Sequence, residues 1–156
     1  MIELKKKSNY NDNTCGHSSV VERLVANEKV EGSTPFARSN KFMSDLLKKK
    51  CVPCEGGALS FDISEIHKYQ KKVDGWDILT DKKKIFFLNK KFEFKNFLDS
   101  QNFINKVGQI SEKEGHHPDI SFGWGYADIK ITTHAIEGIS ENDFILAAKI
   151  DQFTNV

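Results

Sequence analysis

Residues 84–134 read KIFFLNKKFEFKNFLDSQNFINKVGQISEKEGHHPDISFGWGYADIKITTH, and the spacing of apolar residues changes three times along them. Between Lys84 and Phe94, the residues Phe86, Leu88, Phe92 and Phe94 share one side at period two, which predicts a strand. From about Asn96 to Glu114 the period lengthens, and Phe97, Phe103, Ile104, Val107 and Ile110 form a helical stripe that Gly115 ends. After His116-His117-Pro118, the residues Ile120, Phe122 and Trp124 alternate as a third strand, with Gly123 and Gly125 marking a bulge or turn around the indole. Asp128–His134 then reads as a fourth strand, with Ile129 and Ile131 buried and Lys130, Thr132 and His134 on the other side.

The flanks extend this pattern. Upstream, Trp76–Thr80 is a short strand and Asp81-Lys82-Lys83 the polar turn that follows it. Asp62 with Glu65 reads as a capping box opening a helix whose apolar side carries Ile63, Ile66, Tyr69 and Val73 and which ends near Asp74-Gly75. Downstream, Gly138 turns the chain, and Ser140 with Asp143 caps a last helix that packs through Phe144, Ala147, Ala148 and Ile150. The order is helix, hairpin, helix, hairpin, helix. It predicts an α+β domain, a four-stranded antiparallel sheet with helices packed on one face.

The chain has 156 residues, enough for one domain with a core and too few for two. With 38% hydrophobic and 29% charged residues its composition is globular, and a formal charge of +1 supplies no field for nucleic acid or an anionic membrane. No apolar run approaches the roughly 20 residues that span a bilayer. The first residues lack a secretory signal, so a cytoplasmic location is expected. Three cysteines argue against a disulfide framework. Cys51-Val52-Pro53-Cys54 has the spacing of half a zinc ribbon but no second pair, and reads as a loop.

Composition shifts near residue 43. Both arginines, Arg23 and Arg38, precede it, whereas the remainder holds 16 lysines and no arginine. Ser18–Arg23 and Gly32–Pro35 can be encoded by sequences resembling the D-arm and T-arm of a transfer RNA gene. Residues 1–42 are therefore expected to be a disordered extension, either a translated tRNA gene with Met43 as the true start or a natural disordered or adaptor segment, and the domain to span 43–156. The underlying DNA decides this: without cloverleaf pairing the idea fails.

Three histidines, His116, His117 and His134, fall close together. The first two sit where a helix stops and Pro118 forces an extended exit. Alternation puts His134 opposite the core. Imidazole, with an ordinary pKa of about 6.5, can give or take a proton near neutral pH. An isolated pair at a helix end more often satisfies terminal carbonyls, and three histidines also suit an open zinc site.

The run Glu112-Lys113-Glu114-Gly115-His116-His117-Pro118, followed by Trp124, His134 and Asp143, resembles the signature of the pterin-4a-carbinolamine dehydratase family. The order of helices and hairpins is similar to that family from about Ser60 to Phe153, and the stretch 43–57 looks like bacterial members. The resemblance implies dehydration of a 4a-hydroxytetrahydropterin to quinonoid dihydropterin and water, as in tetrahydrobiopterin recycling, with no metal or other cofactor. It implies His116 and His134 as proton-transfer groups and His117 as the group polarising the pterin. Glu112, Pro118, Trp124, Thr133 and Asp143 are implied as substrate-site residues, the two carboxylates orienting imidazoles. A homodimer or homotetramer is implied, together with an aromatic amino acid hydroxylase as source of the substrate. The competing reading is a binding role, since some members act as dimerisation partners of a transcription factor.

Overall fold

A computed structural model describes residues 45–52 and 59–154. The expected extension 1–42, the proposed start at Met43 and the loop containing Pro53 and Cys54 lie outside the described residues. The elements are α1 (Ile63–Gln70), β1 (Asp77–Thr80), β2 (Phe86–Glu93), α2 (Phe97–Glu114), β3 (Asp119–Gly123), β4 (Tyr126–Ile131), a 3₁₀ turn (His134–Ile136) and α3 (Glu141–Asp151). A short helical turn at 45–47 precedes α1. The expected α+β class and helix–hairpin order are what the chain adopts.

The strands pair antiparallel in the order β1-β2-β4-β3, so each hairpin contributes one inner and one edge strand. Period two then sorts every strand into two faces. Ile78 opposite Leu88, Leu88 opposite Ile131, and Ile120 opposite Ile129 place an apolar layer on the helix side. Leu88, Ile129 and Ile131 are fully buried there, with Phe92 on the same side stacking 4.7 Å from Phe103 of α2. Lys90 interrupts this row, and the structure resolves the conflict by pairing. Its Nζ lies 2.7 Å from Asp151 Oδ1 of α3, whose other oxygen accepts from Trp76 Nε1 at 3.0 Å. Burial pushes the Asp151 carboxyl above its ordinary pKa, against the opposing pull of Lys90.

Capping follows the sequence. Asp62 Oδ1 accepts Glu65 N at 2.8 Å and Asn96 Oδ1 accepts Asp99 N at 2.9 Å. Gly115 ends α2 with φ +64, in the left-handed region that costs a residue with a Cβ about 1 kcal/mol or more. No atom stands within 4 Å of where a Cβ would go. Gly115→Ala is therefore expected to destabilise by about 1 kcal/mol through backbone strain alone, read as a drop in the thermal midpoint.

Three expectations need correction. Phe97 is not core: it is half exposed and meets Phe122 at 5.7 Å, because the first turn of α2 overhangs the sheet edge. Trp124 does not continue β3, which stops at Gly123, and it is 73% exposed rather than core or pocket wall. The chain reverses there because Gly125 holds φ +80. The fourth strand runs Tyr126–Ile131 and not to His134, since Thr133 bridges to Gly138 and a 3₁₀ turn begins. The last helix packs through Phe144, Ala147, Ala148 and Ile150 as expected, and its remaining sides are covered as well. Every residue from Asn142 to Asp151 is buried, because α3 is enclosed by its neighbours instead of lying on a surface.

Candidate active site

The site grows from three chain ends: the end of α2, the end of β4 and the start of α3. β3 and β4 pair with Asp119 opposite Lys130. Continuing that register past the last pair sets His117 level with Thr132 and His116 level with Thr133. Directly opposed residues point the same way, so alternation assigns His116 and Thr133 to the helix side. It assigns His117, like Asp119 and Lys130, to the open side.

The helix-side half is well defined. His116, 5% exposed, has Nε2 2.9 Å from Asp143 Oδ1. Asp143 Oδ2 accepts from Ser140 N and Thr133 Oγ1, both at 2.7 Å, and from Ser140 Oγ at 3.2 Å. A carboxylate surrounded by donors has only acceptor capacity left, so we assign a proton to His116 Nε2. Asp143 is thus both the helix cap and the anchor of an imidazole, two functions that were alternatives at the level of sequence. Its complete burial is tolerable because each oxygen is bonded.

The open-side half is wetter. His117 Nε2 lies 2.8 Å from Glu112 Oε2, and both side chains are largely exposed, so water screens the attraction and the pair holds the ring only loosely. His134 is exposed at the start of the 3₁₀ turn and lines a cavity of about 210 Å³ with Phe87, Lys130, Thr132 and Glu137. Thr133, expected at the substrate, instead turns its hydroxyl into the buried Asp143 cluster. Pro118 immediately precedes β3, which begins at Asp119. Trp124 stands in the β3–β4 turn, with no burial to lose: Trp124→Ala is expected to leave stability within about 0.5 kcal/mol by chemical denaturation.

Sequence reasoning missed three contributors. Ser140 was read only as a cap, and Glu114 and Lys149 were given no role, yet Lys149 Nζ lies 2.6 Å from Glu114 Oε1 with both side chains buried. A lysine within an otherwise buried helix was the available signal. Among the described residues, no group of three or more His, Cys, Asp or Glu side chains is gathered as a metal ion requires.

Residues 60–153 match the family described as pterin 4 alpha carbinolamine dehydratase. The chain is 41% identical over 110 residues to a protein of Rubrobacter xylanophilus, covering 70% of this chain and 99% of that one. It is 46% identical over 106 residues to one of Halorhodospira halophila, covering 68% and 94%. Both carry the name "Putative pterin-4-alpha-carbinolamine dehydratase". Among solved structures, a transcriptional coactivator/pterin dehydratase from Brucella melitensis superposes with TM-score 0.54 and 25% identity over 60% of this chain and 96% of that one. The chain belongs to the pterin 4 alpha carbinolamine dehydratase family. Among the described residues no helix is long and apolar enough to cross a membrane.

Proposed function

We propose that this protein dehydrates a 4a-hydroxytetrahydropterin by histidine acid–base catalysis. The observation that carries the reading is the buried His116–Asp143 pair, fixed by Thr133 and Ser140, at the sheet end where His117 and His134 also lie. In the reaction the C4a–O bond breaks and the hydroxyl leaves as water after accepting a proton. The N5–H bond supplies its electron pair to the new C4a=N5 bond, and the N5 proton passes to a base. One acid and one base therefore suffice, and nothing is oxidised overall.

Exposure favours a different division of labour from the one the resemblance implied. His117 and His134 are open to solvent and to a ligand, and we assign the proton transfers to them. His116 is nearly closed off, and its Asp143-anchored ring fixes the chain end from which His117 projects toward the open side. Glu112 steadies His117. The substrate comes from a hydroxylase that transfers oxygen to a tetrahydropterin, and recycling of tetrahydrobiopterin is the setting this suggests. Self-association through copies of the same chain is part of the proposal.

Stopped-flow decay of a 4a-hydroxytetrahydropterin tests the reading. The protein is expected to accelerate the loss well above the spontaneous rate, unchanged by a chelator. A decay no faster than in buffer overturns it, and a loss of rate on chelation moves the chemistry to a metal.

A further inference from the structure

We propose that residues 45–52 form a clamp that positions the His116–Asp143 pair, with Asn142 and Glu114 as its positioning residues; this rests on the dehydratase reading above. The two ends of the pair come from different elements, His116 just after α2 and Asp143 in the first turn of α3. Something must hold those ends in register. The segment does so by bonding to the immediate chain neighbours of both.

On the α3 side, the Asn142 side chain pairs with the Val52 backbone in both directions. Val52 N donates to Asn142 Oδ1 at 3.0 Å, and Asn142 Nδ2 donates to Val52 O at 2.8 Å. Asn142 thus acts as a strand partner to the segment, one residue from Asp143. On the α2 side, Glu114 Oε2 accepts Cys51 N at 3.1 Å, two residues before His116. Its other oxygen meets Lys149 Nζ of α3, which also donates to Lys49 O at 2.8 Å. Lys49 Nζ in turn reaches Glu141 Oε1 at the start of α3. Leu46 sits in the core, 1% exposed, so the segment is anchored at its far end too.

Packing alone does not require this chemistry. Taking a Lys–Glu pair out of water costs much of what the pair returns, so its use here points to fixing geometry more than to adding stability. Polar bonds from one short segment to Glu114, Glu141, Asn142 and Lys149 define the angle between the end of α2 and the start of α3. That angle sets where the His116 ring stands.

The experiment uses the full chain with Asn142→Ala and Glu114→Gln, which break the clamp on the α3 side and on the α2 side separately, so that either one, if it folds, carries the test. Lys90→Met is the control, breaking another buried pair on α3 away from the histidines. Turnover constants and the nitrogen and proton NMR signals of the His116 ring are read well below the melting temperature. Misplacement of about 1 Å can cost up to about 100-fold in rate. Asn142→Ala is expected to lower kcat about tenfold and Glu114→Gln by a smaller factor, with KM nearly constant and His116 signals displaced. Lys90→Met is expected to leave kcat and those signals alone. Wild-type kcat or unmoved His116 signals in both clamp variants overturn the proposal, as does an equal loss in Lys90→Met. If the unmodified chain shows no dehydration, the functional reading falls, and the clamp is judged on the His116 signals alone.

Discussion

His134→Ala is expected to lower the rate of carbinolamine dehydration by about 10²- to 10⁴-fold, the usual worth of a positioned acid or base, without lowering the melting temperature. The two halves of that expectation come from one fact. His134 stands beyond the last residue of β4, exposed, beside a cavity of about 210 Å³. Removing it takes away no buried contact, so stability is spared. On the proposed mechanism it also takes away one of the two imidazoles assigned to proton transfer. Stopped-flow kinetics with a thermal melt of the same sample checks both. Near-normal turnover would transfer the proton chemistry to His117 or to water, and a large fall in melting temperature would show that His134 supports the fold.

Lys149→Met is expected to cost about 3–5 kcal/mol, the range for removing one partner of a buried ion pair. The loss arises less from the missing lysine than from what it leaves behind. Glu114 keeps its carboxylate in a site where its side chain is 3% exposed. Burial pushes that carboxyl up, but the hydrogen bonds from Lys149 and from Cys51 N outweigh it and hold the pKa below the ordinary value. A carboxyl depressed in the folded state contributes stability that is complete above its unfolded pKa, about 4.3. That contribution is lost as pH falls through the lower folded value. Without Lys149 the main opposing influence is gone and burial dominates, so the variant is expected to recover part of its deficit on acidification, where the parent loses stability. Denaturant melts across that pH range read the sign. Combining Lys149→Met with Glu114→Gln removes both charges and is expected to restore much of the loss; no restoration would mean that the cost lies in packing instead.

The pairing of Tyr69 with Glu141 shows the same economy of buried groups on a smaller scale. Burial first, and then the hydrogen bond it donates to Glu141, push the Tyr69 hydroxyl up to about 12. It therefore stays protonated and keeps donating through the neutral range.

Much of this was legible beforehand because it is local. The period-two row Phe86, Leu88, Phe92, Phe94 and the longer period of Phe103 and Val107 are consequences of backbone geometry, and they fixed element type and order. Asp62, Asn96 and Gly115 act on amides and carbonyls within one turn, so their caps could be read from spacing. What failed was whatever depended on a distant partner. Trp124 alternates correctly with Phe122, yet the turn that Gly125 permits throws it into solvent.

The amino-acid order alone settled the class of fold, the helix and strand sequence and the identity of the candidate imidazoles, since each follows from interactions within a few residues. Only the tertiary structure decided which ionisable side chains leave solvent and which partner each meets: Lys90 with Asp151, Lys149 with Glu114, and His116 with Asp143. The reason is electrostatic. Desolvation obliges a buried charge to find a counterpart, but which one it finds depends on distances set by the packing of α3 against the rest of the chain.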